Sequence, residues 1–179
     1  MISRPIGGLF ALLLVLSATT PTSAHAQIPP ATTIAGGYSA LRDLGNAGTP
    51  ATDYLSGAFA TITRQLGPKR LSIVGDVGMN SRENGAIEVV RLRSFLAGGR
   101  FDVLRLWKAR VFGQALAGVE RYSEPGFSES GTAFQPGAGI DLHVWRGLGV
   151  RTQADYRIVR AEKTTFRSAR VNVGAVLGF

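Results

Sequence analysis

The chain has 179 residues, a length suited to one domain, and 20 Lys+Arg against 12 Asp+Glu give it a formal charge of +8. Hydrophobic residues make up 45% and charged residues 18%, which excludes a disordered chain and an ordinary charged cytosolic surface. It has no cysteine, which excludes disulfides, thiolate metal sites and lipid attachment through an N-terminal cysteine.

Met1 to Ala26 has the three parts of an export signal. Arg4 supplies the positive start, Gly7 to Leu16 the apolar core, and Ala24-His25-Ala26 the small residues of a cleavage site. The apolar core is too short to span a bilayer as a helix, which takes ~20 residues. Cleavage after Ala26 leaves residues 27–179 as a single domain. No later segment is apolar for the ~18 residues that mark a spanning helix.

The rest of the chain reads as strands of alternating character. Ile34 to Leu41 and Leu55 to Thr63 are the weakest, with small residues on both faces. Next, Leu71, Ile73, Val77 and Met79 oppose Ser72, Asp76 and Asn80, and Val90, Leu92 and Leu96 oppose Arg91 and Arg93, with Phe95 breaking the pattern. Val111, Ala115, Ala117 and Val119 oppose Arg110, Gln114 and Glu120, and Phe112 and Leu116 fall on the polar side. Phe134, Ala138, Ile140, Leu142 and Val144 oppose Gln135, Gly137, Gly139, Asp141 and His143. Pro136 interrupts this segment; lacking an N–H, it is expected at a strand end or bulge. The clearest segment sets Val150, Thr152, Ala154, Tyr156 and Ile158 against Arg151, Gln153, Asp155 and Arg157. Period two puts such sets on opposite faces of a sheet. The last segment sets Val171, Val173, Ala175, Leu177 and Phe179 against Arg170, Asn172, Gly174, Val176 and Gly178.

About eight strands of roughly ten residues fit tilted crossings of a bilayer. Gly67-Pro68, Asp102 to Leu106 and Arg146-Gly147 read as short turns. Arg42 to Asp53, Asn80 to Ala86, Arg121 to Gly131 and Ala161 to Arg167 read as longer, polar loops. Such alternation places short turns in the periplasm and long loops outside. Phe101, Trp107, Trp145 and Phe179 then mark one interface, and Tyr54, Tyr122, Tyr156 and Phe166 the other. The fold expected is all-β, a closed antiparallel up-and-down transmembrane barrel.

Alternation alone does not say which face is wet, because a soluble barrel reverses its sense. The polar rows here carry arginine with interspersed acids and no lysine, which suits a poorly hydrated lumen where guanidinium forks bridge carboxylates. The lumen charges assigned on this basis are Asp76, Arg91, Arg93, Arg110, Glu120, Asp141, Arg151, Asp155 and Arg157. Eight strands enclose an interior just wide enough for side chains, so these charges are expected to pair and plug it.

The last segment carries a resemblance. Asn172, Gly174, Leu177 and Phe179 match the terminal assembly signal of outer-membrane barrels, a polar residue and a glycine followed by hydrophobics ending in phenylalanine. With the strand pattern, the chain resembles the eight-stranded outer-membrane protein A-type barrel domain, without a peptidoglycan-binding domain after it. The resemblance implies location in the outer membrane of a Gram-negative-type bacterium, contact with outer-membrane lipid and lipopolysaccharide, delivery by periplasmic chaperones and insertion by the barrel-assembly machinery.

Three functional readings follow. The first is a structural or surface-interaction barrel with a charge-paired lumen and no catalysis. The second is an outer-leaflet lipid-modifying enzyme. It would have to use His143, which stands near the periplasmic end with Trp145, not a serine, next on its face. The third is a soluble periplasmic barrel whose mouth binds a small apolar molecule. No phosphate loop, metal-ligand cluster or nucleophile elbow occurs, so neither cofactor nor metal is expected. The arginines stand singly along the chain instead of in a basic run, so no nucleic-acid partner is expected either.

Overall fold

In the structure, a computed structural model, residues 32–45, 55–67, 70–84, 87–161 and 164–178 are described. The export segment Met1 to Ala26 lies outside them. The strands are β1 (Thr32–Asp43), β2 (Leu55–Gln65), β3 (Leu71–Asn84), β4 (Ile87–Arg105), β5 (Ala109–Glu124), β6 (Phe127–Trp145), β7 (Leu148–Ala161) and β8 (Thr164–Gly178). Each pairs antiparallel with the next, and β1 pairs with β8, so the sheet closes without an edge. At the closing seam Gly37 faces Gly174. A Cβ on either would run into the backbone of the other strand, so glycine lets the two approach.

The pleat sorts the residues by parity. Odd-numbered residues point inward on β1, β2, β6 and β7, and even-numbered ones on β3, β4, β5 and β8. The inward set includes the fully buried Arg151, Arg157 and Arg170, while Phe95, Ile62 and Tyr38 on the outward set are each more than half exposed. Water cannot favourably cover such an outside, and hydrocarbon can. This sense of alternation is that of a transmembrane barrel and the reverse of a soluble one. On β5 the apolar outward row runs from Val111 to Val119. At about 3.3 Å per residue and a tilt near 40°, it gives a band of roughly 20 Å, close to the ~25 Å such barrels present to lipid.

Four expectations are corrected. First, β4 is inverted relative to the sequence reading. Ser94, Leu96 and Arg100 are buried inside, and Arg91 and Arg93 stand on the outward alternation, Arg93 exposed. Phe95 belongs to the lipid-facing row, and Leu96 packs with Val74, Leu116, Ala133 and Val159 in an apolar cluster inside the barrel.

Second, most of the long loops are strand. β5 and β6 continue to Glu124 and from Phe127, joined through Pro125 and Gly126, and β3 and β7 likewise extend to Asn84 and Ala161. Gly126, at φ 83°, takes the left-handed conformation that a tight connection needs. Third, the second aromatic band does not form as a girdle. Tyr122 and Phe166 line the mouth of the barrel, Tyr156 lies on the outward row, and Tyr54 is outside the described residues. Phe101, Trp107 and Trp145 are exposed at the other end.

Fourth, Pro136 sits in mid-strand. Pairing of β6 with β7 lapses between Phe134↔Ile158 and Gly137↔Asp155 and resumes in unshifted register, as expected where one donor is missing without an inserted residue.

Candidate functional site: an ion-paired lumen between two mouths

Strand β7 supplies the interior with a row of alternating charge. Arg151, Gln153, Asp155 and Arg157 all point inward and are all buried. Each arginine reaches a carboxylate and then a strand on the far side of the barrel. Arg151 donates through Nε and Nη2 to both oxygens of Asp141 on β6, at 2.6 and 2.8 Å, and through Nη1 to Thr61 on β2 at 2.9 Å. This is the forked geometry in which guanidinium binds carboxylate most strongly. Arg157 pairs with Glu120 on β5 and donates to Gln135 on β6 at 2.7 Å and to Ser94 on β4 at 3.3 Å.

The centre of the network is Arg170 on β8, absent from the sequence assignment. Its Nη2 donates to both oxygens of Asp76 on β3, at 2.9 and 3.1 Å, and its Nε to Asp155 at 3.2 Å. Asp155 also accepts from Gln153 at 2.9 and 2.8 Å, from Asn172 at 3.1 Å and from Gln114 at 3.4 Å. Gly137 makes room for this carboxylate, since a side chain there would run into it. Asp76, Asp155 and Arg170 are at most 5% exposed, so the pairs are desolvated and each needs its partners.

Arg100 is the other interior arginine the sequence reading missed. It donates to Gln114 at 2.7 Å and lies 3.9 Å over the Phe112 ring, with Arg151 on the same ring at 5.1 Å. Such stacking holds two cations near one another through the ring quadrupole. The missed signal was parity. Once Phe95 is placed outward, Ser94, Leu96 and Arg100 fall on one inward row.

Beyond the network the barrel opens at both ends. The end away from the chain termini is an apolar cup of about 390 Å³, lined by Leu41, Leu55, Leu92, Tyr122, Phe127 and Phe166, with Arg82 and Glu129 among its polar members. The termini end holds a basic cavity of about 500 Å³ with Arg105, Lys108, Arg110, Arg146 and His143. Arg110 there reaches Asp141 at 3.3 Å, and His143 is exposed.

The assigned site residues thus separate. Asp76, Glu120, Asp141, Arg151, Asp155 and Arg157 are buried inside, and Arg110 is half-buried at the termini end. Arg91 and Arg93 lie on the outward alternation, because the inner face of β4 is the even-numbered row of Leu92, Ser94, Leu96 and Arg100. Of the terminal motif, Asn172 is inside and hydrogen-bonded to Asp155, Gly174 is at the seam, and Leu177 faces outward between Ile34 and Leu148. Phe179 lies outside the described residues.

No family model matches the sequence, and no curated protein matches it. Solved structures do. The chain is similar to Neisserial surface protein A at 11% identity and a TM-score of 0.68, over 86% of this chain and 100% of that one. It is similar to Ail, the attachment invasion locus protein of Yersinia pestis, at 17% identity and 0.55, over 84% and 100%. It is also similar to the N-terminal β-barrel domain of Pseudomonas aeruginosa OprF at 12% identity and 0.55, over 85% and 100%. The chain has the fold of the small eight-stranded outer-membrane β-barrels.

Proposed function

We propose that this chain is a structural or surface-interaction barrel of the outer membrane, not an enzyme, whose lumen is closed to solutes by paired charges. The observation that carries the reading is Arg170, fully buried and bridging Asp76 on one wall to Asp155 on another. A side chain held across the interior by two carboxylates occupies the path a solute would take. With eight strands, both termini share one end, which is the periplasmic one in barrels of this architecture. The apolar cup then opens outward, where a surface contact would be made. Two neighbours bear names that speak of the cell surface, a surface protein and an attachment protein, and these support the same role.

The assembly partners proposed are the periplasmic chaperones and the barrel-assembly machinery, reading Asn172, Gly174, Leu177 and Phe179 after export by Met1 to Ala26. The surrounding partners are outer-membrane lipid and lipopolysaccharide. His143 lies in the basic cavity of the termini end, away from any outer-leaflet substrate, which weighs against the lipid-modifying alternative.

Planar-bilayer recording of the purified barrel tests the closed lumen. The expected result is no stable open state. A lasting conductance large enough to pass small solutes would overturn the reading and make the protein a porin.

A further inference from the structure

The inversion of β4 places two arginines where the apolar outer surface ends. Arg93 on β4 and Arg121 on β5 are direct cross-strand partners, and both are exposed on the outward face. Like charges directly opposite on one face destabilise a sheet unless an anion joins them. The outward positions immediately around the pair hold Arg91, Met79, Phe95, Val119, Ser123 and Ser130, none of them a carboxylate. Arg121 Nε donates to Ser128 Oγ at 2.9 Å, which fixes that guanidinium against the sheet. A third outward arginine, Arg160 on β7, stands across β6, opposite Thr132.

These cations crown an apolar surface. Toward mid-barrel the next outward residues are Phe95 below Arg93, Val119 below Arg121 and Phe134 below Thr132. All three are about half exposed. A cationic rim above an apolar wall matches a molecule with anionic groups at one end and hydrocarbon at the other.

We propose that Arg93 and Arg121, with Arg160 beyond them, clamp the phosphate groups of a multiply phosphorylated lipid, whose acyl chains lie along Phe95, Val119 and Phe134. Guanidinium groups bind phosphate oxygens through a planar fork and stay charged at any working pH. A zwitterionic headgroup brings an ammonium that the same arginines repel, so an adjacent pair of cations with a third across β6 selects a lipid with more than one phosphate monoester. The clamp rests on the reading above that this end of the barrel lies in the outer leaflet.

Native mass spectrometry of the detergent-refolded barrel, titrated with diphosphorylated lipid A, its monophosphoryl form and phosphatidylethanolamine, tests the clamp. The wild type should bind the diphosphorylated lipid at least tenfold more tightly than phosphatidylethanolamine, with the monophosphoryl form between. Arg93→Gln combined with Arg121→Gln should abolish that preference and leave phosphatidylethanolamine binding unchanged. Arg64→Gln, on the outward face at the termini margin of the apolar band, should change nothing.

Equal wild-type affinity for the three lipids overturns the clamp, and that arm stands whatever the variants do. So does an unaltered preference in the double variant, or an equal loss from Arg64→Gln. Inorganic phosphate competing as well as the lipid would also overturn it, by showing a site that needs no hydrocarbon. A chain that fails to insert into vesicles at all would instead remove the transmembrane reading on which the clamp rests.

Discussion

Replacing Asp155 by alanine probes the interior at its most connected acid. In the native barrel this carboxylate accepts from Arg170 Nε at 3.2 Å, Gln153 at 2.8–2.9 Å, Asn172 at 3.1 Å and Gln114 at 3.4 Å. Each buried donor left without a partner costs about 1–3 kcal/mol, so simple addition over four groups would reach roughly 4–12 kcal/mol. Two features lower the sum. Arg170 keeps both bonds to Asp76, and the Gln and Asn amides can turn toward other acceptors. The expected loss is therefore about 3–5 kcal/mol, the range for breaking a buried ion pair.

Urea unfolding in lipid vesicles, followed by the fluorescence of Trp107 and Trp145, measures it. Combining Asp155→Ala with Arg170→Met should cost less than the sum of the two single changes, because the second removes a charge the first has stranded. Arg121→Gln provides the reference. Arg121 is exposed and bonded to the exposed Ser128, so the change should cost under about 1 kcal/mol. If Asp155→Ala costs no more than Arg121→Gln, or if the double variant is additive, the interior pairs are not coupled as described.

The inverted register of β4 predicts that Ala97→Arg, on the outward row, impairs assembly by about 2–4 kcal/mol, while Leu92→Arg, lining the open cup beside Glu120 and Glu129, is mild. Equal folded yields in vesicles would sink that register. Gly137→Val should destabilise by about 1–3 kcal/mol in the urea assay, since its side chain would displace the Asp155 carboxylate; an unchanged midpoint would put that carboxylate elsewhere. Pro136→Ala restores a backbone donor in mid-strand and should stabilise the barrel by about 1 kcal/mol. A loss of stability would show that the interruption is needed.

What the sequence made legible depended on depth in the membrane. On β7 every inward residue from Arg151 to Arg157 is polar and its outward neighbours are apolar or uncharged, because at mid-bilayer a charge can only turn inward. Near the rim that rule lapses. Arg91 and Arg93 sit at the margin of the apolar band, where an outward charge reaches headgroups, while Leu96 turns in to complete an apolar cluster with Val74 and Leu116. Polarity then no longer reports direction, and β4 was read in reverse. That single error also hid Arg100.

Arg170 was hidden for another reason. Its inward parity was visible beside Val171, but its bond to Asp76 joins β8 to β3, and no local pattern announces a contact made only when the barrel closes. The polar stretches read as loops fail on the same physics as β4. From Arg121 to Glu124 and from Phe127 to Gly131 the chain leaves the apolar band while its hairpin continues, pairing Tyr122 with Glu129 and Ser123 with Ser128. Once both faces of a strand meet water or headgroups, nothing selects alternation, and a paired strand and a loop have the same composition. Such a sequence therefore delimits the band inside the bilayer well and the height of the barrel above it poorly.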